Sequence, residues 1–378
     1  MVEKQLFQII RYFLNNEPMI DEPLDWPCVW SFAMKHRLEM FVALYMKKIS
    51  EELRPDSELQ SEISTHCAKL LAIHVNQKAA VTSIHSVLET RRCYHLFMKG
   101  TVTKKRYEEP FYRSMVDIDF LYQESQHEQV KQALLDNGFT DYREGRKNDF
   151  YNRKPYVSVE AHRQLVPSDS SYYSYCSRVW QRSHIASGCK YCFEMSLEDE
   201  LIFNIIHLAI HFLEGGAGIR FIMDVYVYNS YQMDKQYIER ELTELDLLEF
   251  YHNISDLANH WFGDGEETEI SRKIGQFVLD NSIFGTAKNS SALAVRKGRL
   301  RYLRRMFFPS LNEMSSLYPW LKKRKYLLPV AWIIRGFKVL KNKNKAIRAQ
   351  LNKARQGDVK RGRDIVEFYE ECGLRGTL

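Results

Sequence analysis

The sequence predicts an α+β protein in which a small domain with a mixed β-sheet is flanked by N-terminal and C-terminal helical regions. Apolar residues recur at helical spacing near the N-terminus, short strand-like runs appear in the middle of the chain, and helical spacing then returns. We therefore divide the chain into a helical region over residues 1–92, a sheet domain over 93–195 and a helical region over 196–378. The length of 378 residues and the 45% hydrophobic content allow a sizeable core and exclude a disordered protein.

A long helix is the main feature of the N-terminal region. From Leu59 to Leu88, apolar residues recur at steps of three and four or at multiples of them. This spacing predicts one apolar face of a helix over residues 57–91. Ahead of it, Asp21-Glu22-Pro23 and Trp26-Pro27 indicate a turn before an earlier helix that passes through Val42 to Met46.

Three strands and one helix are predicted for the central domain. Short apolar runs next to turn residues indicate the strands, and an amphipathic stretch that stops at a glycine indicates the helix. The four elements are a strand over 94–98, a strand over 117–122, a helix over 127–137 ended by Gly138, and a strand over 156–162.

The C-terminal region begins with a mostly apolar helix. Ser196 and Asp199 have the spacing of a helix-capping box, and the glycine-rich segment 215–218 is expected to end the helix. A single polar stripe runs along it at steps of four, three and four, formed by Glu200, Asn204, His207 and His211. Such a stripe indicates either a hydrogen-bond network or the wall of a wet cleft. The two histidines also have the spacing of a zinc site, but the third ligand of known motifs is missing.

Basic residues are concentrated near the C-terminus. The whole chain has a formal net charge of +6, but residues 290–363 contain 21 Lys and Arg against only two acidic residues. Three interpretations are open: a solvated helical surface, a surface for RNA phosphates, or a surface for anionic lipid headgroups. Trp320 and Trp332 lie among the basic residues, which suits a membrane interface as well as a packed helix end.

The cysteines and the lack of long apolar runs indicate a cytoplasmic protein. The sequence shows no secretory leader and no apolar run of the ~20 residues that a transmembrane helix needs. Its seven cysteines are an odd number without regular spacing, which fits reduced thiols. We expect the protein to be cytoplasmic, either free or peripheral at a membrane. Cys189 and Cys192 form a C-x-x-C pair with Cys176 upstream; zinc would need a fourth ligand there, and the alternative is ordinary buried cysteines.

The segment Asp117-Ile118-Asp119 carries the clearest chemical signal. On a strand, residues i and i+2 point to the same face, about 6.6 Å apart along the chain. Two carboxylates this close repel each other unless a cation lies between them, and a divalent metal ion would remove the repulsion. Glu160 lies on a later predicted strand, which could bring a third carboxylate to the same cation. The alternative for an isolated D-x-D is a solvated turn or an unrelated strand.

Residues close to these acids in the sequence suit a phosphate ligand. Lys99-Gly100-Thr101 follows the first predicted strand, and a glycine there lets backbone N–H groups approach a phosphate closely. Arg113 lies four residues before Asp117 and offers a planar fork for phosphate oxygens.

Together these elements resemble the polymerase-β-type nucleotidyltransferase superfamily. Within it they most resemble the family of uncharacterised nucleotidyltransferases that is often found among bacterial polysaccharide biosynthesis genes. The three acids are typical of the superfamily, the later motifs are typical of the family, and the resemblance covers roughly residues 85–335. The segments that carry it are Phe97–Gly100, Arg113, Asp117–Leu121, Val159–His162, Leu197–Glu200, His207–His211, Ile219–Asp224, Phe308–Ser310 and Tyr318–Trp320.

The resemblance implies a role for each acid and for the residues around them. Asp117 and Asp119 would hold two Mg²⁺ or Mn²⁺ ions, while Glu160 would hold the catalytic metal and orient or deprotonate the attacking hydroxyl. Gly100-Thr101 departs from the Gly-Gly or Gly-Ser of the superfamily. The nucleotide-binding residues that the resemblance implies are Lys99, Gly100, Thr101, Arg113, His162, His207, His211, Arg220 and Asp224. The last two are an i, i+4 pair, which is most often an ordinary salt bridge.

The expected reaction is transfer of a nucleoside monophosphate from a metal-bound nucleoside triphosphate to an unknown acceptor hydroxyl or phosphate, with release of pyrophosphate. An intact set of three acids favours this enzyme over a binding protein. That alternative would keep the fold, bind a nucleotide or polyanion, and dock to a membrane or RNA through its basic segment. A third interpretation is a transferase that acts on tRNA or protein, with RNA held by residues 290–363.

Overall fold

The structure, a computed structural model, contains one mixed β-sheet with helices on both faces, so the predicted α+β class is confirmed. Helices precede and follow the sheet in the chain, as expected. The structure describes residues 2–145, 147–280, 287–309, 311, 314–315, 318–322, 324–341, 355 and 358–375.

Seven strands of the described residues form the sheet. They are β1 (His95–Met98), β2 (Ile118–Tyr122), β3 (Thr140–Glu144), β4 (Asn148–Arg153), β5 (Val157–His162), β6 (His184–Ile185) and β7 (Cys192–Glu194). Their order across the sheet is β3-β4-β5-β2-β1-β7-β6. β2 pairs antiparallel with β1 and parallel with β5, while β1 pairs parallel with β7. Antiparallel pairs β3–β4 and β6–β7 complete the two edges.

Much of the remaining described chain is helical. The α-helices are α1 (Val2–Asn15), α2 (Trp26–His36), α3 (Glu39–Lys48), α4 (Ser57–Thr90), α5 (Gly100–Thr103), α6 (His127–Asp136), α7 (Tyr173–Cys176), α8 (Val179–Arg182), α9 (Leu197–Glu214), α10 (Ile219–Asn229), α11 (Lys235–Glu244), α12 (Leu248–Phe262), α13 (Glu269–Asp280), α14 (Ala287–Val295), α15 (Arg299–Phe307), α16 (Leu328–Lys341) and α17 (Val359–Glu371). None of these helices combines the length and the apolar character that crossing a bilayer requires.

Alternation of side chains along the strands gives the sheet two different faces. One face packs on α4 and α6 and includes Phe120 of β2 and Val159 of β5. The other face contributes Leu96, Met98 and Leu121 to a larger core that it shares with helices from both ends of the chain. The candidate active site lies on this second face. Asp119 and Glu160 point to it because they are the chain neighbours of Phe120 and Val159, which point to the first face.

The N-terminal and C-terminal helices share the larger core. Phe7 of α1 stacks on Trp261 of α12 with ring centroids 4.8 Å apart. Arg11 donates hydrogen bonds to the carbonyl oxygens of His260 and Trp261 at 2.7 and 2.9 Å. The same core includes residues of α2, α3, α9, α10, α11 and α13. The two helical regions therefore pack on each other as well as on the sheet, and the domain boundaries near residues 92 and 195 stay predictions.

The elements with strong sequence patterns are present within two residues of their predicted ends. These elements are α4, α6, α9, β1, β2 and β5. The hydroxyl of Ser196 accepts the N–H of Asp199 at 3.1 Å, which confirms the predicted cap of α9. Gly138 follows α6 with a φ of +79°, the left-handed conformation that favours glycine at a helix end.

One predicted turn is correct only in part, and the prediction for the sheet is incomplete. Residues 21–25 lie outside the helices, as Asp21-Glu22-Pro23 indicates. Trp26 and Pro27 belong to α2, because Asp25 caps the helix by accepting the N–H of Cys28 at 3.2 Å and proline fits the first helical turn. Strands β3, β4, β6 and β7 were not predicted. These strands are short or rich in polar residues, so they lack the continuous apolar pattern of β1 and β2.

Candidate active site

Two of the predicted acids lie side by side at the centre of the sheet. In the register of β2 with β5, Asp119 is the partner of Glu160. Register partners on neighbouring strands point to the same face of a sheet, so the side chains of Asp119 and Glu160 share one face. Asp119 is buried, and Glu160 is half-buried. Asp117 lies two residues before Asp119 and is also half-buried.

Cationic and hydrogen-bonding groups compensate the charge of Asp119. The Lys99 ammonium lies 2.5 Å from Asp119 Oδ1, and His162 Nε2 lies 2.8 Å from the same oxygen. Burial alone would raise the pKa of Asp119, but Lys99 and His162 outweigh burial and hold that pKa below its ordinary value. His162 also lies 3.4 Å from Glu160 and lowers the pKa of that carboxyl, and Asn148 Nδ2 donates to Glu160 Oε2 at 2.9 Å.

Asp117 experiences the negative charge of the other two acids. Burial, followed by the charges of Asp119 and Glu160, raises the pKa of Asp117 to about 6. Asp119, Glu160 and His162 each offer a ligand atom within 4.8 Å of the other two, and Asp117 lies next to this group. Carboxylate oxygens are hard ligands, so the arrangement could hold a Mg²⁺ or Mn²⁺ ion, whose charge would offset the repulsion.

The loop after β1 directs Lys99 toward the acids. Lys99 has a left-handed backbone with a φ of +51°, and its carbonyl accepts N–H groups of residues 102 and 103 at 3.0 and 2.8 Å. The helix α5 therefore begins directly after the strand. Gly100 permits close packing at this point, because a Cβ there would lie 3.3 Å from Arg113 Nη1. A larger residue would have to displace the guanidinium.

The acids open onto a cleft of about 250 Å³ between the sheet and helices α9 and α10. Nine of the residues that the sequence analysis selected line this cleft: Lys99, Gly100, Arg113, Asp117, Asp119, Glu160, His207, His211 and Arg220. The other three residues lie behind the lining and hydrogen-bond to it. Thr101 accepts the backbone N–H of Asp119 at 3.1 Å, His162 contacts the Asp119 carboxylate, and Asp224 binds Arg113.

The cleft also contains residues that the sequence analysis missed. Lys147 lies just before β4, and Phe203, Glu214 and Phe221 line the wall formed by α9 and α10. Burial, followed by the charge of Lys99, lowers the pKa of Lys147. A hairpin signal in the sequence could have indicated the region of Lys147, because Gly145 separates two stretches that contain aromatic residues.

The predicted polar stripe of α9 faces the cleft only in part. Asn204, His207 and His211 line it, and the Nε2 atoms of the two histidines lie 3.1 Å apart. Burial, followed by the charge of Lys99, lowers the pKa of His211 to about 4 and that of His207 well below its ordinary value, so both rings are neutral. Neither histidine belongs to a group of three metal-ligating side chains in the part of the chain that the structure describes. Glu200 lies outside the lining and forms an ion pair with Arg106 at 2.6 Å.

A buried ion pair between Arg113 and Asp224 lies beside the cleft, and its Arg113 contributes to the cleft lining. Arg113 Nη2 lies 2.7 Å from Asp224 Oδ2, Arg113 Nε lies 3.0 Å from Oδ1, and Tyr107 donates to Oδ1 at 2.7 Å. The i, i+4 salt bridge between Arg220 and Asp224 is therefore a wrong interpretation, because Arg113 occupies the carboxylate. The fork of Arg113 is bound to an acid rather than directed at a phosphate.

Arg220 is a cation with unused hydrogen-bonding capacity at the cleft. It is only 5% exposed, and its Nη1 donates to the carbonyl oxygen of Ser114 at 3.1 Å. Its Nε is buried without a hydrogen-bond partner among the described residues. Burial, followed by the charge of Arg113, lowers the pKa of Arg220 to about 9. A buried guanidinium with an unsatisfied N–H group suits an anionic ligand.

We expect Asp224→Ala to lower the free energy of unfolding by about 3–5 kcal/mol, because the change leaves Arg113 buried without its anion. Denaturant titration measures this loss. A matched control is Asp136→Ala, which removes the anion of an exposed pair with Arg91 whose side chains are 48% and 43% exposed. The control should cost at most about 1 kcal/mol. Equal losses for the two variants would contradict the supporting role of the buried pair.

Comparison with known proteins bears on the family and not on individual residues. No curated protein and no solved structure matches the chain. Residues 22–263 match the family described as uncharacterised nucleotidyltransferase. The match extends over more than half of the chain and includes the three acids, the loop after β1 and both walls of the cleft. The chain therefore belongs to the uncharacterised nucleotidyltransferase family.

Proposed function

We propose that this protein is a metal-dependent nucleotidyltransferase that transfers a nucleoside monophosphate from a nucleoside triphosphate to an acceptor hydroxyl or phosphate and releases pyrophosphate. One observation carries the proposal: the register of β2 with β5 sets Asp119 beside Glu160, next to Asp117, at a cleft lined with cations. Membership of the family supports the general class of reaction.

The three carboxylates fit Mg²⁺ or Mn²⁺. Burial, followed by the negative charges of Asp119 and Glu160, raises the pKa of Asp117, and a bound cation would oppose both effects. We assign Asp117, Asp119 and Glu160 as the metal ligands. A bound divalent ion would neutralise charge on the reacting phosphates. Lys99, 2.5 Å from Asp119, keeps that carboxylate ionised and fixes its orientation.

We assign the triphosphate to the cationic part of the cleft. Lys99, Lys147 and Arg220 line it, and together they supply the positive charge that phosphate oxygens need. Gly100 also lines this part of the cleft, and its lack of a side chain leaves space for the Arg113 guanidinium. Arg113 acts as a positioning residue, because its fork is already bound to Asp224.

Glu160 is the residue that we assign to the acceptor. Asn148 holds Glu160 Oε2 at 2.9 Å, so the carboxylate has a fixed orientation from which it can orient or deprotonate an attacking hydroxyl. On the opposite wall, Phe203 and Phe221 offer aromatic faces for stacking with the nucleobase. The gene context that the family resemblance implies makes sugars and sugar phosphates the first acceptors to assay.

We expect one nucleoside triphosphate, in the presence of Mg²⁺, to raise the Tm of the protein, because a ligand at 100 times its Kd stabilises the folded state by about 2.7 kcal/mol. A thermal-shift assay with the four common triphosphates measures this. Arg220→Gln should weaken the binding at least about tenfold, because one charge-assisted hydrogen bond is lost. Arg178→Gln, at an exposed position, is the control. No shift with any triphosphate would contradict the proposed binding site.

We expect Asp117→Asn to reduce transfer of label from an α-labelled triphosphate to a component of cell extract by at least about 100-fold, because metal binding and orientation are lost together. The Tm of this variant should equal or exceed that of the unaltered protein, because repulsion among the acids is relieved. Asp141→Asn, at an exposed position of β3, should retain transfer. Full transfer by both Asp117→Asn and Asp119→Asn would rule out the metal assignment.

The same two assays separate the proposal from its alternatives. A thermal shift without any labelled product would favour a protein that binds nucleotides without turnover. Labelled RNA or labelled protein as the product would identify a transferase that acts on tRNA or on protein. Labelled small molecules would support the proposed class of acceptor.

We also propose that residues 290–363 attach the protein to the surface of an anionic membrane in the cytoplasm. In α15, Leu300 and Phe307 are exposed beside Arg301 and Arg304. A similar mixture occurs farther along the segment, where the exposed side chains include Arg324, Lys325, Tyr326, Val330 and Ile333. A lipid surface can use both kinds of side chain, whereas RNA phosphates would use mainly the basic ones. Lys323 and residues 342–350 lie outside the described part of this segment.

We expect the protein to bind vesicles that contain anionic lipid, with an affinity that falls as salt rises. Leu300→Ser should weaken vesicle binding about tenfold, because this side chain is 82% exposed and would be buried in the lipid. The same variant should not change binding to RNA, which serves as the matched control ligand. Tight RNA binding together with no effect of Leu300→Ser would contradict the membrane proposal.

A further inference from the structure

A second cluster of metal-ligating side chains lies near the end of β1 that is remote from the candidate active site. His85 of α4 faces the C-x-x-C pair, with its Nε2 3.8 Å from Cys189 Sγ. His85, Cys189 and Cys192 each offer a ligand atom within 4.8 Å of the other two. Cys176 is not in this group. The third ligand, His85, lies 104 positions before Cys189 in the sequence, so a short sequence motif could not have linked it to the two cysteines.

The distances in the cluster are close to those of a bound zinc ion. Zinc lies about 2.3 Å from thiolate sulfur and about 2.0–2.1 Å from imidazole nitrogen, so tetrahedral angles place neighbouring ligand atoms roughly 3.3–3.8 Å apart. The 3.8 Å between His85 and Cys189 already agrees with this range. The 4.8 Å limit for the whole group means that shifts of about 1 Å would complete the geometry.

A chain of hydrogen bonds from Cys93 through His95 to His85 favours the tautomer of His85 that can bind a metal ion through Nε2. His95 Nδ1 lies 2.9 Å from the carbonyl oxygen of Cys93, which only accepts, so this nitrogen carries a hydrogen. His95 is fully buried, and the neutral form of its ring has an acceptor at the other nitrogen, Nε2. That Nε2 lies 3.2 Å from His85 Nδ1, which donates in this arrangement. The tautomer of His85 that donates from Nδ1 has its lone pair on Nε2, the nitrogen that faces Cys189, as in metal-bound histidines.

The loop that carries the two thiols is held in place independently of them. Glu89 of α4 accepts the N–H groups of Lys190 and Tyr191 at 3.1 and 2.8 Å. The N–H of His95 donates to the carbonyl oxygen of Tyr191 at 2.9 Å, and Cys192 is the partner of His95 in the pairing of β7 with β1. The cluster is thus pre-organised by α4, β1 and β7, which reduces the ordering needed on binding.

We propose that His85, Cys189 and Cys192 form a binding site for a borderline-soft transition-metal ion, Zn²⁺, with water in the fourth position and His95 as a positioning residue. Each thiol would lose its proton to solvent as the ion binds. Cys192 is buried and Cys189 is half-buried, so solvent can reach one side of the site. Because β6 and β7 join the rest of the sheet only through β1, the ion would fasten this edge to α4.

The test uses the full-length protein, reduced and freed of metal with a chelator, and titrates it with Co²⁺ as a spectroscopic substitute for Zn²⁺. We expect a sulfur-to-cobalt charge-transfer band together with the visible bands of a tetrahedral site, and we expect one equivalent of Zn²⁺ to abolish both. Competition with a chromophoric chelator then measures the affinity for Zn²⁺. Binding should also raise the Tm of the protein.

Variants assign the site to its residues. Cys189→Ser, Cys192→Ser and His85→Gln should each weaken Zn²⁺ binding at least about 100-fold, whereas His95→Gln should weaken it about 10- to 100-fold. Cys28→Ser removes an exposed thiol of α2 and should leave the affinity unchanged.

A further variant separates this site from the candidate active site. Asp119→Asn should keep the sulfur-to-cobalt band, because no cysteine lines the active-site cleft among the described residues. Absence of the band in the unaltered protein, or a band that persists when both Cys189 and Cys192 are replaced by Ser, would overturn the proposal. Rapid formation of a Cys189–Cys192 disulfide without any cobalt band would also overturn it, in favour of a redox pair.

Discussion

The parallel pairing of β2 with β5 sets two carboxylates next to each other on a largely buried face, and the surrounding structure is organised by that concentration of charge. The Asp119 carboxylate contacts Lys99, which directly follows β1 and has a left-handed backbone conformation. It also contacts His162 at the end of β5. Glu160 is held by Asn148 at the start of β4. Lys99 approaches the acids from the end at which β2 begins, and His162 and Asn148 lie toward the other end of the same strands, so the acids face the cleft between the sheet and helices α9 and α10.

Helices α9 and α10 form the second wall of the site and also hold its loops. Asp224 of α10 binds Arg113, and Glu200 of α9 binds Arg106, so two acids from the helices bind two cations from the segment between β1 and β2. Pairs of this kind make a buried network rigid, because breaking either pair would leave a charged side chain buried without its partner and without water. Arg220 lines the cleft and differs from both arginines, since its buried Nε has no hydrogen-bond partner among the described residues. Of these three arginines, Arg106 and Arg113 thus stabilise the fold, and Arg220 is suited to a ligand.

Local patterns were sufficient to predict much of the fold and the acids, but they could not identify the partners of individual side chains. Apolar spacing predicted α4, the cap at Ser196 predicted the start of α9, and a short apolar run predicted the strand of Asp119. Spacing along a helix wrongly favoured a salt bridge between Arg220 and Asp224, because in a buried cluster the partner is selected by packing rather than by sequence distance. The β3–β4 hairpin was missed because its polar residues hide the alternation, although it carries groups of the site.

The packing of α1 on α12 has a consequence for the synthesis of the protein. The hydrogen bond from Arg11 to Trp261 spans 250 residues, so the N-terminal helices cannot complete their core until most of the chain has left the ribosome. The sheet cannot finish early either, because Leu96 and Met98 belong to the same core. Contacts of such long sequence separation form slowly, and the apolar faces of α1 to α3 stay exposed in the meantime. Nascent chains of this protein therefore expose apolar surface that favours aggregation until α12 has emerged, and a fragment limited to the sheet would expose the apolar side chains of Leu96 and Met98.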